Sequence, residues 1–160
     1  MSVTVGEVVP DFTLMASNDK EVSLSDFRGK KVVIFFYPKD MTPGCTTEAC
    51  DFRDYYSKLK ELGVELIGIS PDSIKSHNKF IDKYQLPFLL LSDAEHQVAE
   101  LFGVWKLKKM FGREFMGVER STFLVDEDGK LIYEWRGVKV EEHAAEVYQY
   151  ILTNFRGNNQ

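Results

Sequence analysis

The sequence predicts an α/β fold: a mixed sheet flanked by helices, with a β-hairpin at its N-terminal end. Three observations carry that reading. After Lys31, Val32 to Tyr37 is an unbroken run of β-branched and aromatic residues without polar alternation, the pattern of a strand covered on both faces. Strand-like runs and helix-period segments then alternate through the middle of the chain, the order from which parallel crossovers are built. In the last third, two further runs are joined by Asp126-Glu-Asp-Gly129, a turn sequence that returns the chain antiparallel. With 160 residues and 44% apolar content, one domain over residues 1–160 has enough material for a core without covalent staples.

Taken in order, Phe12 to Met15 and Glu21 to Leu24 flank Asn18-Asp19 and form the first hairpin. Pro38 ends the buried strand. Thr42 is placed to cap the next helix and Pro43 suits its first position, where a missing N–H costs nothing. From Cys45 to Leu62 the apolar set Ala49, Phe52, Tyr56, Leu59 and Leu62 recurs at steps of three and four, and Gly63 supplies the stop. Val64 to Ser70 is a second buried strand. Ile74, His77, Ile81 and Tyr84 mark one face of a second helix behind Pro71-Asp72. Phe88 to Leu91 is a third strand, Glu95 to Phe102 a short helix, and the following Lys- and Gly-bearing stretch reads as a loop. Ser121 to Asp126 and Lys130 to Trp135 form the second hairpin, and the last helix, from about Glu141 to Asn154, buries Ala144, Val147, Tyr148 and Ile151. This order fits a thioredoxin-like topology with helices on both faces better than a flavodoxin-like one, which would alternate strand and helix to the end.

Charge excludes several functions. Twenty Lys and Arg stand against 25 Asp and Glu, and the basic residues are scattered among acids, so nucleic acid and anionic membranes are poor partners. The longest clean apolar run, Val32 to Tyr37, is far too short to cross a bilayer. The N-terminus lacks a basic start and a long apolar stretch, so a reducing, cytoplasmic setting is expected. There, a close pair such as Cys45 and Cys50, the only cysteines, is catalytic or redox-sensing more often than structural.

The chemistry concentrates in Pro38-Lys-Asp-Met-Thr-Pro-Gly-Cys45-Thr-Thr-Glu-Ala-Cys50. Cys45 arrives in the first turn of a helix, where unpaired backbone N–H groups and the dipole favour an anion. Gly44 lets a small substrate approach the backbone, and Thr42, three residues before the sulfur, can donate to whatever the sulfur attacks. That arrangement suits nucleophilic substitution. Taken singly, the same residues read as a buried small side chain, a helix cap and, at Pro38, a strand terminator.

Pro38-x-x-x-Thr42-x-x-Cys45 resembles the active-site motif of peroxiredoxins, and Cys45-x4-Cys50 resembles the bacterioferritin comigratory protein and peroxiredoxin Q subgroup. Glu119-Arg-Ser-Thr-Phe-Leu-Val-Asp126 is similar to the family's arginine-bearing strand. Val9-Pro-Asp-Phe12 and Phe27-Arg-Gly-Lys-Lys-Val-Val33 extend the likeness over nearly the whole chain. The resemblance implies a thioredoxin-like fold, no metal or organic cofactor, and reduction of hydrogen peroxide and organic hydroperoxides with electrons from thioredoxin or a similar dithiol. It implies Cys45 as the peroxidatic nucleophile, Cys50 as the resolving thiol, Arg120 and Thr42 as transition-state donors, Pro38 as a shield for the thiolate, and Glu48 as the partner that orients an arginine. Alone, Arg120 reads as an exposed strand residue, Glu48 as a solvated first-turn acid, and Cys50 as a core neighbour of Ala49. Resolution by Cys50 requires the helix start to unwind, because five helical residues separate Cα atoms by roughly 8.6 Å, beyond the usual ~4.4–6.8 Å of a disulfide.

Two rivals remain. A general thiol–disulfide oxidoreductase would ordinarily carry Cys-x-x-Cys, absent here. A non-catalytic redox sensor would oxidise once without turnover. His77, His96 and His143 are too dispersed for a metal motif and are expected at the surface or partly buried. Lys106 to Lys109 reads as a solvated basic loop, and Phe111, Phe115 and Met116 as packing, with a peroxide-pocket wall or a partner face as alternatives. A monomer or weak homodimer is expected.

Overall fold

A computed structural model describes residues 3–155. Strands β1 (Thr13–Ala16) and β2 (Glu21–Ser23) form the N-terminal hairpin, followed by a short 3-10 turn over Leu24–Phe27. Then come β3 (Lys31–Phe36), α1 (Pro43–Glu61), β4 (Val64–Ser70), α2 (Ile74–Tyr84), β5 (Leu89–Ser92) and α3 (Gln97–Leu101). The chain continues through β6 (Trp105–Met110), β7 (Arg113–Val118), β8 (Ser121–Val125) and β9 (Leu131–Arg136) to α4 (His143–Phe155).

Seven strands form one sheet in the order β2-β1-β5-β4-β3-β8-β9, with β3, β4 and β5 parallel and the outer pairs antiparallel. The sheet is the mixed one expected. β3 lies near its middle, and its alternate residues feed two cores, as the two-fold period of a strand requires. Val32, Ile34 and Phe36 pack with Phe102, Phe123 and the N-terminal segment. Val33, Phe35 and Tyr37 pack with Phe52 of α1, Phe80 of α2 and Val147 of α4. Three long helices thus cover one face, and α3 with the chain start covers the other. Gly68 in β4 is required by crowding, since a Cβ there would stand 2.7 Å from the Phe35 ring and 2.8 Å from Leu90.

The fold departs from the sequence reading at four places, apart from those in the site. The Lys- and Gly-bearing stretch after α3 is an antiparallel hairpin, β6–β7, turning at Phe111-Gly112, where both residues have positive φ. Lysines and apolar residues occupy both of its faces, and most of them are exposed, so no alternation announces the strands. On α2 the buried residues are His77 and Phe80, with Ile74, Ile81 and Tyr84 half-buried, because the helix leans on β5 along its centre. His77 and His143 are buried, contrary to the expectation for histidines, each held by hydrogen bonds inside the fold. Tyr148 in α4 is only half-buried.

Candidate active site

α1 begins where the sequence places it. Thr42 is the residue before the helix, in extended conformation, and Pro43 occupies the first turn. The Thr42 hydroxyl does not cap, however; it donates to the Lys39 carbonyl at 2.9 Å and closes the loop that leads into the helix. Cys45 follows in the first turn, buried against the α1, α2 and α4 side of the sheet.

Arg120 reaches this turn from the other side. β8 pairs antiparallel with β3 in a register that sets Ser121 opposite Phe36, so Arg120 precedes β8 at the same sheet end where the chain leaves β3 for α1. Its guanidinium uses two nitrogens: Nη2 donates to Cys45 Sγ at 3.3 Å, and Nη1 donates to Glu48 Oε1 at 2.7 Å. A planar fork holds two acceptors in fixed geometry in this way, whereas a lysine would offer a point charge on a flexible stem. Gly44 leaves room for it, since a Cβ at that position would stand 3.2 Å from Arg120 Nη2. Gly44, Pro43, Thr47, Arg120, Val138 and Val140 line an open depression over this turn.

The electrostatics are divided. Burial works against the charge of Arg120, but Glu48 and Cys45 together hold its pKa above the usual arginine value. Glu48 is buried, not a solvated first-turn acid. Burial drives its carboxyl up to about 7 despite the attraction of Arg120, with Asp51 adding to the rise. The geometry agrees: among the described residues Oε2 is buried without a hydrogen-bond partner, a costly position for an ionised oxygen. Lys108 of β6, half-buried rather than solvated, completes the local charge. Its pKa is lowered by burial and by Arg120, and Cys45 and Glu119 oppose that fall.

The other expected residues are less concentrated. Cys50 lies in the same helix as Cys45, half-buried, and both are free thiols. Burial raises the Cys50 thiol, with Asp54 and Asp51 adding to the rise and Arg53 opposing it. Pro38 is half-buried just beyond β3. Phe111, Phe115 and Met116 are exposed on the β6–β7 hairpin and are not packing residues.

A buried polar network beside the loop escaped the sequence. Asp40 Oδ1 accepts from the Tyr37 hydroxyl at 2.6 Å, and Oδ2 accepts from Ser76 Oγ at 2.8 Å and meets His77 Nδ1 at 2.8 Å. The Asp40 backbone N–H donates to Asp72 Oδ2 at 2.7 Å. One signal was available: a histidine on the apolar stripe of a helix requires polar company inside. Among the described residues, Asp40, Asp72 and His77 are the one group of metal-ligating type, their donor atoms within 4.8 Å of one another. Their donors are already engaged with one another and, at His77 Nε2, with the Leu91 carbonyl at 3.0 Å. The cluster is therefore arranged as a hydrogen-bonded clasp.

Comparison with known proteins decides the family. The model of the AhpC/TSA family matches residues 5–134. Peroxiredoxin Bcp of Bacillus subtilis (strain 168) is 58% identical over 149 residues, covering 93% of this chain and 95% of that protein. This chain is a peroxiredoxin of the AhpC/TSA family. Peroxiredoxin Bcp of Escherichia coli (strain K12) is 44% identical over 138 residues, covering 86% of this peroxiredoxin and 88% of that protein. The crystal structure of a cysteine-to-serine mutant of Xylella fastidiosa PrxQ superposes with a TM-score of 0.90 at 32% identity, covering 100% and 99% of the two chains. A structure of the Xanthomonas campestris bacterioferritin comigratory protein, from work on its alkyl peroxide reduction activity, gives 0.85 at 39% identity over 89% and 90%. As a peroxiredoxin, the chain is a thiol-dependent peroxidase with the thioredoxin-like fold that its sheet order suggests. Among the described residues, no helix is long and apolar enough to cross a membrane.

Proposed function

We propose that this peroxidase reduces hydrogen peroxide and organic hydroperoxides through Cys45, with Arg120 and Thr42 as transition-state donors. The observation that supports this most directly is the forked contact of Arg120, 3.3 Å from Cys45 Sγ and 2.7 Å from Glu48. The Cys45 thiolate attacks one peroxide oxygen, the O–O bond breaks, and the other oxygen leaves as hydroxide or alkoxide and takes up a proton. Negative charge moves from sulfur along the O–O axis, so donors fixed beside that axis bind the transition state better than the ground state. Arg120 supplies a permanent cation. The N–H groups of Gly44 and Cys45 supply the rest, together with the Thr42 hydroxyl once it turns its one proton from the Lys39 carbonyl to the peroxide; Pro38 screens the thiolate from water, and Glu48 orients Arg120.

The oxidised sulfur is then a sulfenic acid. Cys50 attacks it, water leaves, and a Cys45–Cys50 disulfide forms. Thioredoxin or a similar dithiol returns both sulfurs to thiols by exchange, in a cytoplasmic setting, with the chain acting as one domain and as a monomer or weak homodimer. The cycle uses no metal or organic cofactor. The test is steady-state peroxide consumption with dithiothreitol or thioredoxin as donor, comparing the wild type with Cys45→Ser. Loss of turnover in the variant is expected, because a serine hydroxyl has no accessible anion near neutral pH. Retained turnover would refute the assignment of Cys45.

A further inference from the structure

The loop between β3 and α1 carries Thr42 and delivers Cys45, yet little of it is packed. Lys39 and Met41 are exposed. Met41 has φ 66°, a left-handed conformation that a non-glycine residue holds only when its surroundings impose it. Asp40, between them, is the exception, with 6% of its surface exposed. Among the described residues, every side-chain hydrogen bond that ties the 38–41 segment to another element runs through Asp40: to Tyr37 after β3, to Ser76 and His77 of α2, and to Asp72 before α2. The next contact links this anchor to the site. The carbonyl of Lys39, adjacent to Asp40, accepts the Thr42 hydroxyl, and the carbonyl of Thr42 accepts Thr46 N–H in the turn that contains Cys45.

We propose that Asp40, clasped by Tyr37, Ser76 and His77, is a positioning residue of the peroxidase site that fixes Thr42 and Cys45 where Arg120 and a peroxide meet them. The inference rests on the reading of Cys45, Thr42 and Arg120 given above. Asp40 touches no reacting atom. Neither it nor its partners line the depression over the helix start, and His77, whose Nε2 carries a proton to the Leu91 carbonyl, ties the clasp to β5. Alignment along the O–O axis is demanding, and a displacement of about 1 Å can cost on the order of 100-fold in rate.

The experiment compares two reactions of Cys45 in a Cys50→Ser background: oxidation by hydrogen peroxide and alkylation by iodoacetamide. Both reactions need the Cys45 thiolate, so each rate is taken at a pH where it has levelled off; beyond that, peroxide needs the donors aligned, whereas iodoacetamide needs only a reachable sulfur. Asp40→Ala and His77→Leu should lower the peroxide rate constant at least tenfold, with alkylation unchanged or faster. Tyr37→Phe removes one hydroxyl from the clasp and little volume, which keeps the test valid should the larger changes unfold the protein; about a threefold loss with peroxide alone is expected. Asp40→Asn is the rescue. Its carbonyl can accept from Tyr37 while its amide donates to Ser76 Oγ and to an unprotonated His77 Nδ1, so its peroxide rate should stay within about threefold of the parent. Wild-type peroxide rates in Tyr37→Phe or Asp40→Ala would overturn the proposal. So would equal losses in both reactions, or an Asn variant as slow as Ala. Cys45→Ser, assayed in parallel, separates this failure from failure of the site assignment itself.

Discussion

Replacing Glu48 by glutamine removes one charge from the most enclosed part of the site while keeping an oxygen that Arg120 can still bond. The wild-type carboxyl is moved from 4.5 to about 7, chiefly by burial. Between those values the folded protein retains a proton that the unfolded chain has released, so stability falls as pH rises through that window. The contribution is fully present below about 4.5 and lost above about 7. At 1.36 kcal/mol for each tenfold change, such a displacement corresponds to about 3 kcal/mol, a large share of the ~5–15 kcal/mol typical of a domain. Glutamine does not titrate. Urea denaturation of both proteins in reductant, from about pH 4 to about pH 8, isolates the effect because the other titrations cancel in the difference. The wild type should lose about 3 kcal/mol relative to Glu48→Gln across the window. Parallel curves would refute the upward displacement. A wild type that gains on the variant with rising pH would show that Arg120 outweighs burial and keeps the carboxylate ionised throughout.

Three further outcomes are expected. Gly44→Ala puts a Cβ 3.2 Å from Arg120 Nη2, so the peroxide rate constant should fall by about tenfold. Its thermal midpoint should hold or rise, because alanine favours a helical turn; a lower midpoint with normal turnover would contradict this. Since burial and the neighbouring Asp54 and Asp51 raise the Cys50 thiol, less of it is thiolate near neutral pH, and the rate of Cys45–Cys50 disulfide formation should climb as pH rises through and beyond the ordinary thiol range. A rate independent of pH there, measured by quenched-flow mass spectrometry, would assign resolution to another step or thiol. Finally, oxidation should unwind the start of α1: hydrogen exchange after peroxide treatment should show protection lost between about residues 42 and 55 and retained in the sheet. An intramolecular disulfide with protection intact would overturn the unwinding argument.

The parts of this structure that were legible in the sequence are those whose cause is local. Lys31–Phe36 declares a two-faced strand because every residue but the first is buried. Pro43 announces a helix start because its missing N–H costs nothing in a first turn, although Thr42 precedes the helix without capping it. The hairpin at Trp105–Val118 was illegible for the opposite reason: with both faces mostly in solvent, nothing selects apolar residues at alternate positions. The pairing of Glu48 with Arg120, 72 residues away, depends on the register of β8 against β3. Asp40 and His77 lie 37 residues apart, and no spacing rule connects them. Only the histidine on an apolar helical stripe hinted that a buried partner existed.

The pairing of β3 with β8 also bears on how the protein acquires its chemistry as it folds. Helix α1 is built from short-range contacts and can form early, carrying Cys45 with it. Arg120 is 75 residues further along, and it reaches the sulfur only when β8 zips onto β3 with Ser121 opposite Phe36. Non-local strand pairing of this kind is slow, because a long stretch of chain must be closed before any contact compensates its lost entropy. A slip of two residues would preserve the inward and outward faces yet carry Arg120 roughly 7 Å along the sheet, out of reach of the thiol. A refolding molecule therefore holds a thiol without its cation until β8 is in register on β3. Recovery of peroxide reactivity reports the docking of β8 on β3 rather than formation of the helix that bears the nucleophile.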